Sequence, residues 1–171
     1  SRAVGPALAP EKAVDCLHPA NMGAILMEEG RWAACTPRAC LATLHHYGIA
    51  LDGKRAVVLG RSNVVGKPVA LLLLQENCTV TVCHSHTQNL PALLREADII
   101  VAAIGKADFV KPDMVKEGAV LVDVGINVTD QGLRGDIDPA AAAKASAYTP
   151  VPGGIGAVSN MMMMDALTRN L

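Results

Sequence analysis

Aromatic side chains are scarce in this sequence of 171 residues, where Phe, Trp and Tyr together make up 2%. Platforms that stack unpaired nucleic-acid bases need several exposed aromatic rings, so such a platform is not expected here. The formal net charge of -1 gives no basic footprint for nucleic acid or for an anionic membrane surface. The longest apolar run, residues 69–74, is far shorter than the ~20 residues that span a bilayer. We therefore expect small molecules or other protein chains as partners, with no nucleic acid and no membrane.

Sequence patterns for metal or disulfide sites are also missing. The five cysteines form no CxxC pair and are odd in number, and the five histidines do not have the spacing of zinc ligands. The opening residues do not have the pattern of a secretory or transit sequence, so we expect neither. We expect reduced thiols, no bound metal and a cytoplasmic location.

Apolar residues are abundant, at 51%, and they alternate between two patterns. From Arg55 onward, short runs such as RAVVLG, TVTVC, DIIVAAIG and AVLVDVG alternate with longer helical patterns such as KPVALLLLQE and LPALLREA. Residues 99–104 are apolar at every position, as strands covered on both faces require. The alternation predicts an α/β fold with a doubly wound parallel sheet, a Rossmann-type dinucleotide-binding domain.

Further elements flank this core. Thr36 and Pro37 predict the start of a helix that ends near Tyr47. Asp138 and Pro139 predict the start of an alanine-rich helix, followed by a short strand at residues 147–149 and a last helix at residues 158–168. The opening residues are rich in Pro, Gly and Ala without periodicity. We therefore assign residues 1–35 to a linker and interdomain segment, and residues 36–171 to the dinucleotide-binding domain.

The most informative segment joins the first strand of the series to its helix, with Gly60 at its start and Gly66 near its end. Gly60 permits a tight turn, and Gly66 lets the helix begin close to the sheet and to a ligand. The free amides at the start of that helix favour a pyrophosphate. Ser62 stands where the usual GxGxxG pattern has its second glycine, so the match alone is weak.

The second strand indicates which dinucleotide fits. NAD sites usually place a carboxylate about 20 residues beyond the first glycine. This chain instead has the sequence CHSHT at residues 83–87, without a carboxylate. Arg61, Ser85 and Thr87 offer hydrogen-bond donors and one positive charge to the 2′-phosphate of NADP. Each of these has an ordinary alternative, as a surface arginine or as turn residues, and the pattern favours NADP.

Two more loops follow strands on the predicted ligand-binding edge of the sheet. They are DVGIN at residues 123–127 and TPVPGGIG at residues 149–156. Two prolines followed by three glycines in a short span make a stiff approach and then a backbone open to close ligand contact.

Together these segments, in this order, resemble the bifunctional methylenetetrahydrofolate dehydrogenase/cyclohydrolase family, as do VDxxHPxNxG at residues 14–23 and CTP at residues 35–37. The resemblance implies oxidation of methylenetetrahydrofolate by NADP, followed by hydrolysis of the methenyl product to formyltetrahydrofolate. It also suggests a homodimer formed through this domain. Family members usually read DGFHP and PGGVGPMT where this chain reads DCLHP and PGGIGAVS, and both changes touch positions on the folate side.

The resemblance also assigns roles to individual residues. It places Arg61, Ser62 and Ser85 at the phosphates of NADP and His84 and Thr87 on the same wall. Beside the nicotinamide it places Gly125 and Ile126. For the folate side it implies Asp15 and a loop made of Pro152, Gly153, Gly154, Ile155 and Gly156. A loop aspartate bonded to nearby backbone is the alternative for Asp15.

One family signature is missing from these residues. Family members carry a preceding domain with a YxxxK motif whose lysine manages proton transfer, and neither Tyr47 nor Tyr148 has a lysine four positions later. We therefore expect no catalytic residue in this chain, which binds a dinucleotide without appreciable turnover alone. The alternatives are a non-catalytic dinucleotide-binding module and another two-domain dehydrogenase of the shikimate type, against which DVGIN and PVPGGIG argue.

Overall fold

A computed structural model describes residues 9, 13, 15, 18–29 and 33–169 of the chain, with Arg169 described by its backbone alone. Its strands are β1 (Arg55–Leu59), β2 (Thr79–Cys83), β3 (Ile99–Ala102), β4 (Val120–Asp123), β5 (Asn127–Thr129), β6 (Gly132–Arg134) and β7 (Ala147–Tyr148). Five of them form a parallel sheet in the order β2-β1-β3-β4-β7. The predicted doubly wound parallel sheet is confirmed.

Helices cover both faces of this sheet. They are α1 (Pro19–Leu26), α2 (Cys35–His46), α3 (Gly66–Gln75), α4 (Leu90–Glu96) and α5 (Ile155–Arg169). Alternate residues of β3 enter two separate apolar layers, since Ile99 and Val101 belong to one and Ile100 to the other. The strand is therefore buried on both sides, which explains its unbroken apolar sequence.

Several boundaries differ from those predicted. α2 begins at Cys35, because the Asp15 carboxylate accepts a hydrogen bond from the Cys35 amide at 2.8 Å. Thr36, predicted as the N-cap, lies inside the helix, and its hydroxyl bonds to that of Ser159 on α5 at 2.8 Å. α5 begins three residues earlier than predicted, so the end of the proline and glycine loop is already helical. The alanine-rich segment is a short 3₁₀ helix, Pro139–Ala143.

Two elements have no counterpart in the prediction. β5 and β6 pair as a small antiparallel hairpin directly after the DVGIN segment. Within the segment assigned to a linker, α1 packs against α3, and the Gln75 side chain donates to the Ile25 carbonyl at 2.7 Å. The remainder of that segment lies largely outside the described residues.

The described residues show neither a membrane element nor a metal cluster. None of their helices has the length and apolar character needed to cross a bilayer. In the same ranges, no three His, Cys, Asp or Glu side chains converge as metal ligands would. Cys40, Cys78 and Cys83 carry free thiols and are buried, while Cys16 lies outside the described residues.

Candidate functional site

Two cavities open at the carboxyl edge of the sheet, where open α/β folds bind their ligands. The first, the β1 cavity, has a volume of about 500 Å³ and lies over the ends of β1 and β3. The second, the Pro-Gly cavity, has a volume of about 190 Å³ and lies between the loops that follow β4 and β7. In the sheet, β2 lies on one side of β1 and β3 lies on the other. The chain therefore changes direction across the sheet after β2, and the topological switch point lies at the ends of β1 and β3.

The β1 cavity gathers the predicted phosphate and ribose wall from two separate loops. The sequence-predicted residues that line it are Gly60, Arg61, Ser62, His84, Ser85 and Thr87. The structure thus brings the turn after β1 next to the segment after β2, because these strands are parallel neighbours and end together.

The two glycines of the turn after β1 are fixed by steric contact. Gly60 has a φ of 111°, and a Cβ there would overlap the carbonyl oxygen of Ala103. A Cβ at Gly66 would overlap the carbonyl of Gly60 itself, so the start of α3 lies directly on the turn. Both positions require glycine, and Gly66 acts by packing beneath the cavity.

Ser62 makes local hydrogen bonds within the turn. Its hydroxyl accepts from the amides of Val65 at 3.1 Å and Gly66 at 3.3 Å. These amides belong to the start of α3, whose N-cap provides no side-chain hydrogen bond of its own. Ser62 therefore caps the start of α3, in addition to lining the cavity.

The segment after β2 is ordered by its own polar groups. The Thr87 hydroxyl accepts from the His84 amide at 2.8 Å, and His84 Nδ1 accepts from the His86 amide at 3.2 Å. Desolvation, the Arg61 guanidinium and His86 all lower the pKa of His84. The Arg61 guanidinium therefore disfavours the charged form of this imidazole and itself supplies a positive charge on this wall.

The opposite wall contains residues that the sequence analysis did not identify. Lys106 and Phe109 line the cavity, and the Lys106 ammonium lies 5.6 Å from the centre of the Phe109 ring. Both follow β3, and no glycine fingerprint or spacing rule marks them. Around the β1 cavity the described lining residues include two cations, Arg61 and Lys106, and no carboxylate. The electrostatics favour an anionic ligand.

The Pro-Gly cavity brings the other two predicted loops together. Its lining includes the predicted residues Gly125, Ile126, Pro152, Gly153, Gly154 and Gly156. The Ile126 side chain is 65% exposed and provides an apolar surface beside the loop. A Cβ at Gly154 would overlap the carbonyl of Pro150, so this glycine is required by the turn itself.

Ile155 differs from the other predicted members of that loop. Its side chain is 2% exposed and packs in the hydrophobic core, because the residue already belongs to the first turn of α5. Any ligand contact from this position would therefore come from its backbone.

Two buried carboxylates, Asp123 and Asp136, lie close to these loops; Asp123 lines the Pro-Gly cavity, and Asp136 lines neither cavity. Asp123 accepts from the amides of Gly125 at 3.0 Å and Ile137 at 2.8 Å, and also from the amide of Asp136 at 2.9 Å. Burial is the main cause that raises the pKa of Asp123 to about 6, against the lowering effect of these hydrogen bonds. Sequence reasoning placed Asp123 only at the start of a loop and did not identify Asp136.

Asp15 lies at the beginning of α2 and does not line either cavity. One carboxylate oxygen caps the helix through the Cys35 amide, which agrees with the structural alternative for this residue. The folate contact of Asp15 stays a prediction, because the bond to the Cys35 amide uses only one of the two carboxylate oxygens.

A larger cavity, of about 700 Å³, lies beside α2 and β7. Its walls are mainly apolar and include Leu44, Tyr47, Ile49 and Val158. It shares Pro150, Gly153 and Gly154 with the Pro-Gly cavity, and the sequence analysis did not identify this larger cavity.

The fold and the two cavities define a dinucleotide-binding domain of the Rossmann type. Comparison with known sequences makes this more specific: a family described as "Tetrahydrofolate dehydrogenase/cyclohydrolase, NAD(P)-binding domain" matches residues 34–171. The chain belongs to this family, as the resemblance of its motifs indicated.

Individual relatives agree with this result. The chain is 52% identical over 159 residues to the bifunctional protein FolD of Alkaliphilus oremlandii, covering 91% of this chain and 56% of that protein. The crystal structure of the bifunctional FolD enzyme from Campylobacter jejuni superposes with a TM-score of 0.95 at 39% identity, covering 98% of this chain and 60% of the other. The Trypanosoma brucei enzyme, solved with NADP and an inhibitor, has a TM-score of 0.86 at 38% identity, with coverage of 95% and 59%. The chain thus spans somewhat more than half the length of these relatives.

Proposed function

We propose that this chain is the NADP-binding part of an enzyme that oxidises 5,10-methylenetetrahydrofolate to methenyltetrahydrofolate and hydrolyses that product to 10-formyltetrahydrofolate. The observation that carries the proposal is the β1 cavity, which combines a glycine turn, a helix start and the Arg61 guanidinium at the switch point of the sheet. Family membership supports a nicotinamide dinucleotide as the ligand.

The residues present fit NADP better than NAD. A carboxylate beside the adenosine ribose would repel a 2′-phosphate, and none lines the described part of the β1 cavity. Arg61 and Ser85 line this cavity and can donate hydrogen bonds to that phosphate. The backbone at Gly60 allows the pyrophosphate to approach the start of α3 closely.

The Pro-Gly cavity is the proposed place where the nicotinamide and the folate meet. When bound there, the nicotinamide ring would supply the acceptor for a hydride from the methylene carbon of the substrate. Ile126 and Leu133 would cover one side of the reacting groups with apolar surface and limit access of water. The backbone of Gly153 and Gly154 would border the folate.

The chain's own part in the reaction is binding and orientation. Among the described residues, no lysine paired with a tyrosine lines either cavity, and Lys106 lines the β1 cavity but not the Pro-Gly cavity. Proton transfer and activation of the folate are therefore assigned to the YxxxK domain that the family resemblance implies. A non-catalytic binding module is not favoured, since relatives at about half identity are named as bifunctional enzymes.

Calorimetric titration of the purified chain with NADP and with NAD tests the proposal. We expect saturable NADP binding that is at least about 10-fold tighter than NAD binding, on the scale of one charge-assisted hydrogen bond. Absence of NADP binding, or a preference for NAD, would contradict the assignment. Dehydrogenase assay of the same chain should show negligible turnover, which rises only when a YxxxK domain is supplied.

A homodimer and a cytoplasmic location complete the proposal. Large apolar side chains remain exposed on the hairpin and on α5, among them Val128 at 87% and Met161 at 68%, and they offer surface for a second copy. The buried free thiols of Cys40, Cys78 and Cys83 suit a reducing compartment. Light scattering that finds only monomer at tens of micromolar would count against the dimer.

A further inference from the structure

The two buried carboxylates are unusual because none of the described ion pairs involves them. Asp123 is 1% exposed and Asp136 is 0% exposed, and they are the charged side chains that the described core buries. A carboxylate without a nearby cation is costly to bury unless hydrogen bonds satisfy its oxygens. We therefore ask which parts of the backbone the hydrogen bonds of these two carboxylates hold in place.

Asp136 satisfies both of its oxygens with groups from the loops after β3 and β4. One oxygen accepts from the amides of Ile104 at 2.6 Å and Gly105 at 2.9 Å. The other accepts from the Lys106 amide at 2.8 Å and from the Asn127 side chain at 2.9 Å. The Asp136 carboxylate therefore accepts hydrogen bonds from three consecutive backbone amides of the loop after β3 and from the side chain of the last residue of DVGIN.

These two loops belong to different cavities. Ile104 and Lys106 line the β1 cavity, whereas Gly125, two residues before Asn127, lines the Pro-Gly cavity. A Cβ at Gly125 would overlap the Asp136 carboxylate, so the DVGIN backbone rests directly on that side chain. Asp136 is thus the shared support of two surfaces that would hold opposite halves of one dinucleotide.

We infer that Asp136 is a positioning residue that holds the β1 cavity and the Pro-Gly cavity at a fixed separation, so that one dinucleotide engages both at once. This inference rests on the proposed dinucleotide function. When two halves of a ligand bind to a rigid pair of subsites, the second half binds with a high effective concentration, and loosening the pair removes that gain. Each half taken alone is much less sensitive to such loosening.

Asp136→Asn tests this directly, because it replaces one accepting oxygen with an NH₂ group that cannot accept the loop amides. Calorimetry would compare NADP with adenosine 2′,5′-bisphosphate, the half of NADP that the proposal assigns to the β1 cavity alone. We expect the Kd for NADP to rise about 10-fold or more, with a change of less than about 3-fold for the half ligand. Asn127→Ala, which removes one of the four bonds, should shift the same ratio in the same direction by a smaller factor and serves if the first variant does not fold.

Asp138→Asn is the matched control. Asp138 is two residues away, caps the 3₁₀ helix through the Ala140 amide at 3.0 Å and pairs with Lys111 outside both cavities. It should leave both affinities unchanged. Equal weakening of NADP and the half ligand by Asp136→Asn, or no weakening of either, would overturn the positioning role. If the wild-type chain does not bind NADP at all, it is the proposed function that fails.

Discussion

Replacing Arg61 with alanine should weaken NADP binding selectively. Arg61 is exposed at the turn after β1 and, like Lys106, lines the β1 cavity. A charge-assisted hydrogen bond contributes about 1.5–3 kcal/mol, and exposure to solvent places this contact near the lower value. We therefore expect the Kd for NADP to rise about 10-fold and the Kd for NAD to change little, because NAD lacks the 2′-phosphate. Raising the salt concentration should reduce the difference in NADP affinity between the wild-type chain and Arg61→Ala.

The same variant makes a second, independent prediction about the free protein. After desolvation, the Arg61 guanidinium is the next cause that lowers the pKa of His84, so removing it should raise that pKa. An NMR titration of the His84 ring checks this without any ligand.

Lys67→Ala is the matched control for both measurements. Lys67 is a cation on the same segment, but its ammonium bonds to the Asn63 side chain at 2.8 Å and it does not line the cavity. It should leave the NADP affinity and the His84 pKa unchanged. Equal loss of NADP and NAD affinity in Arg61→Ala would show that Arg61 does not act on the 2′-phosphate, and the reasoning from cavity charge would then be refuted.

Three further predictions concern stability and thiol chemistry. Gly60→Ala should lower the free energy of unfolding measured in urea by about 2–4 kcal/mol, because positive φ and steric overlap act together. Gly53 has a positive φ but open space around it, so Gly53→Ala should lower the same free energy by only about 1 kcal/mol. Equal losses in the two variants would contradict the overlap at Gly60. The hydrogen bond from Lys116 is the main cause that lowers the pKa of Asp98, so its stabilising effect is present at neutral pH and should be lost as the pH falls below about 4. Asp98→Asn should therefore lower the unfolding midpoint at pH 7, and the difference from the wild-type midpoint should shrink as the pH falls below about 4. Burial raises the pKa of Cys40 to about 12, so iodoacetamide at pH 8 should modify it only after unfolding, and rapid modification of the folded chain would argue against its burial.

The sheet and its cofactor-facing turn could be predicted from sequence because local signals determine them. Unbroken apolar runs require strands buried on both faces, and a glycine at Gly60 reflects a positive φ that other residues adopt at a cost. Parallel strands then deliver their loops to one edge, so separate motifs such as those around Arg61 and Ser85 meet without any long-range information.

Features that depend on contacts between distant residues could not be predicted in this way. The start of α2 is set by Asp15, 20 residues away, rather than by the nearby Thr36. Ile155 belongs to the same loop motif as the glycines beside it, but α5 begins at this residue and its side chain is buried in the core. Lys106 enters the cavity because the β3 loop is held by Asp136, some 30 residues later in the chain.

The buried carboxylates also explain how three segments with irregular backbone, after β3, after β4 and after β6, are held together. Loop amides have no strand or helix partner, and leaving them unsatisfied near the core would cost more than the bonds are worth. Asp123 and Asp136 each satisfy several such amides at once, and the amide of Asp136 donates to Asp123, which links the two supports. Because burial raises the pKa of Asp123 to about 6, the folded chain keeps a proton on this carboxyl that the unfolded chain loses at about pH 4. The contribution of Asp123 to stability therefore falls as the pH rises from about 4 to 6. The loss of stability that a buried carboxylate causes at neutral pH is reasonable where the loops that it orders form the proposed binding surface. The motif DVGIN then reflects this structural support as much as contact with a ligand, because Asp123 and Asn127 both take part in these hydrogen bonds.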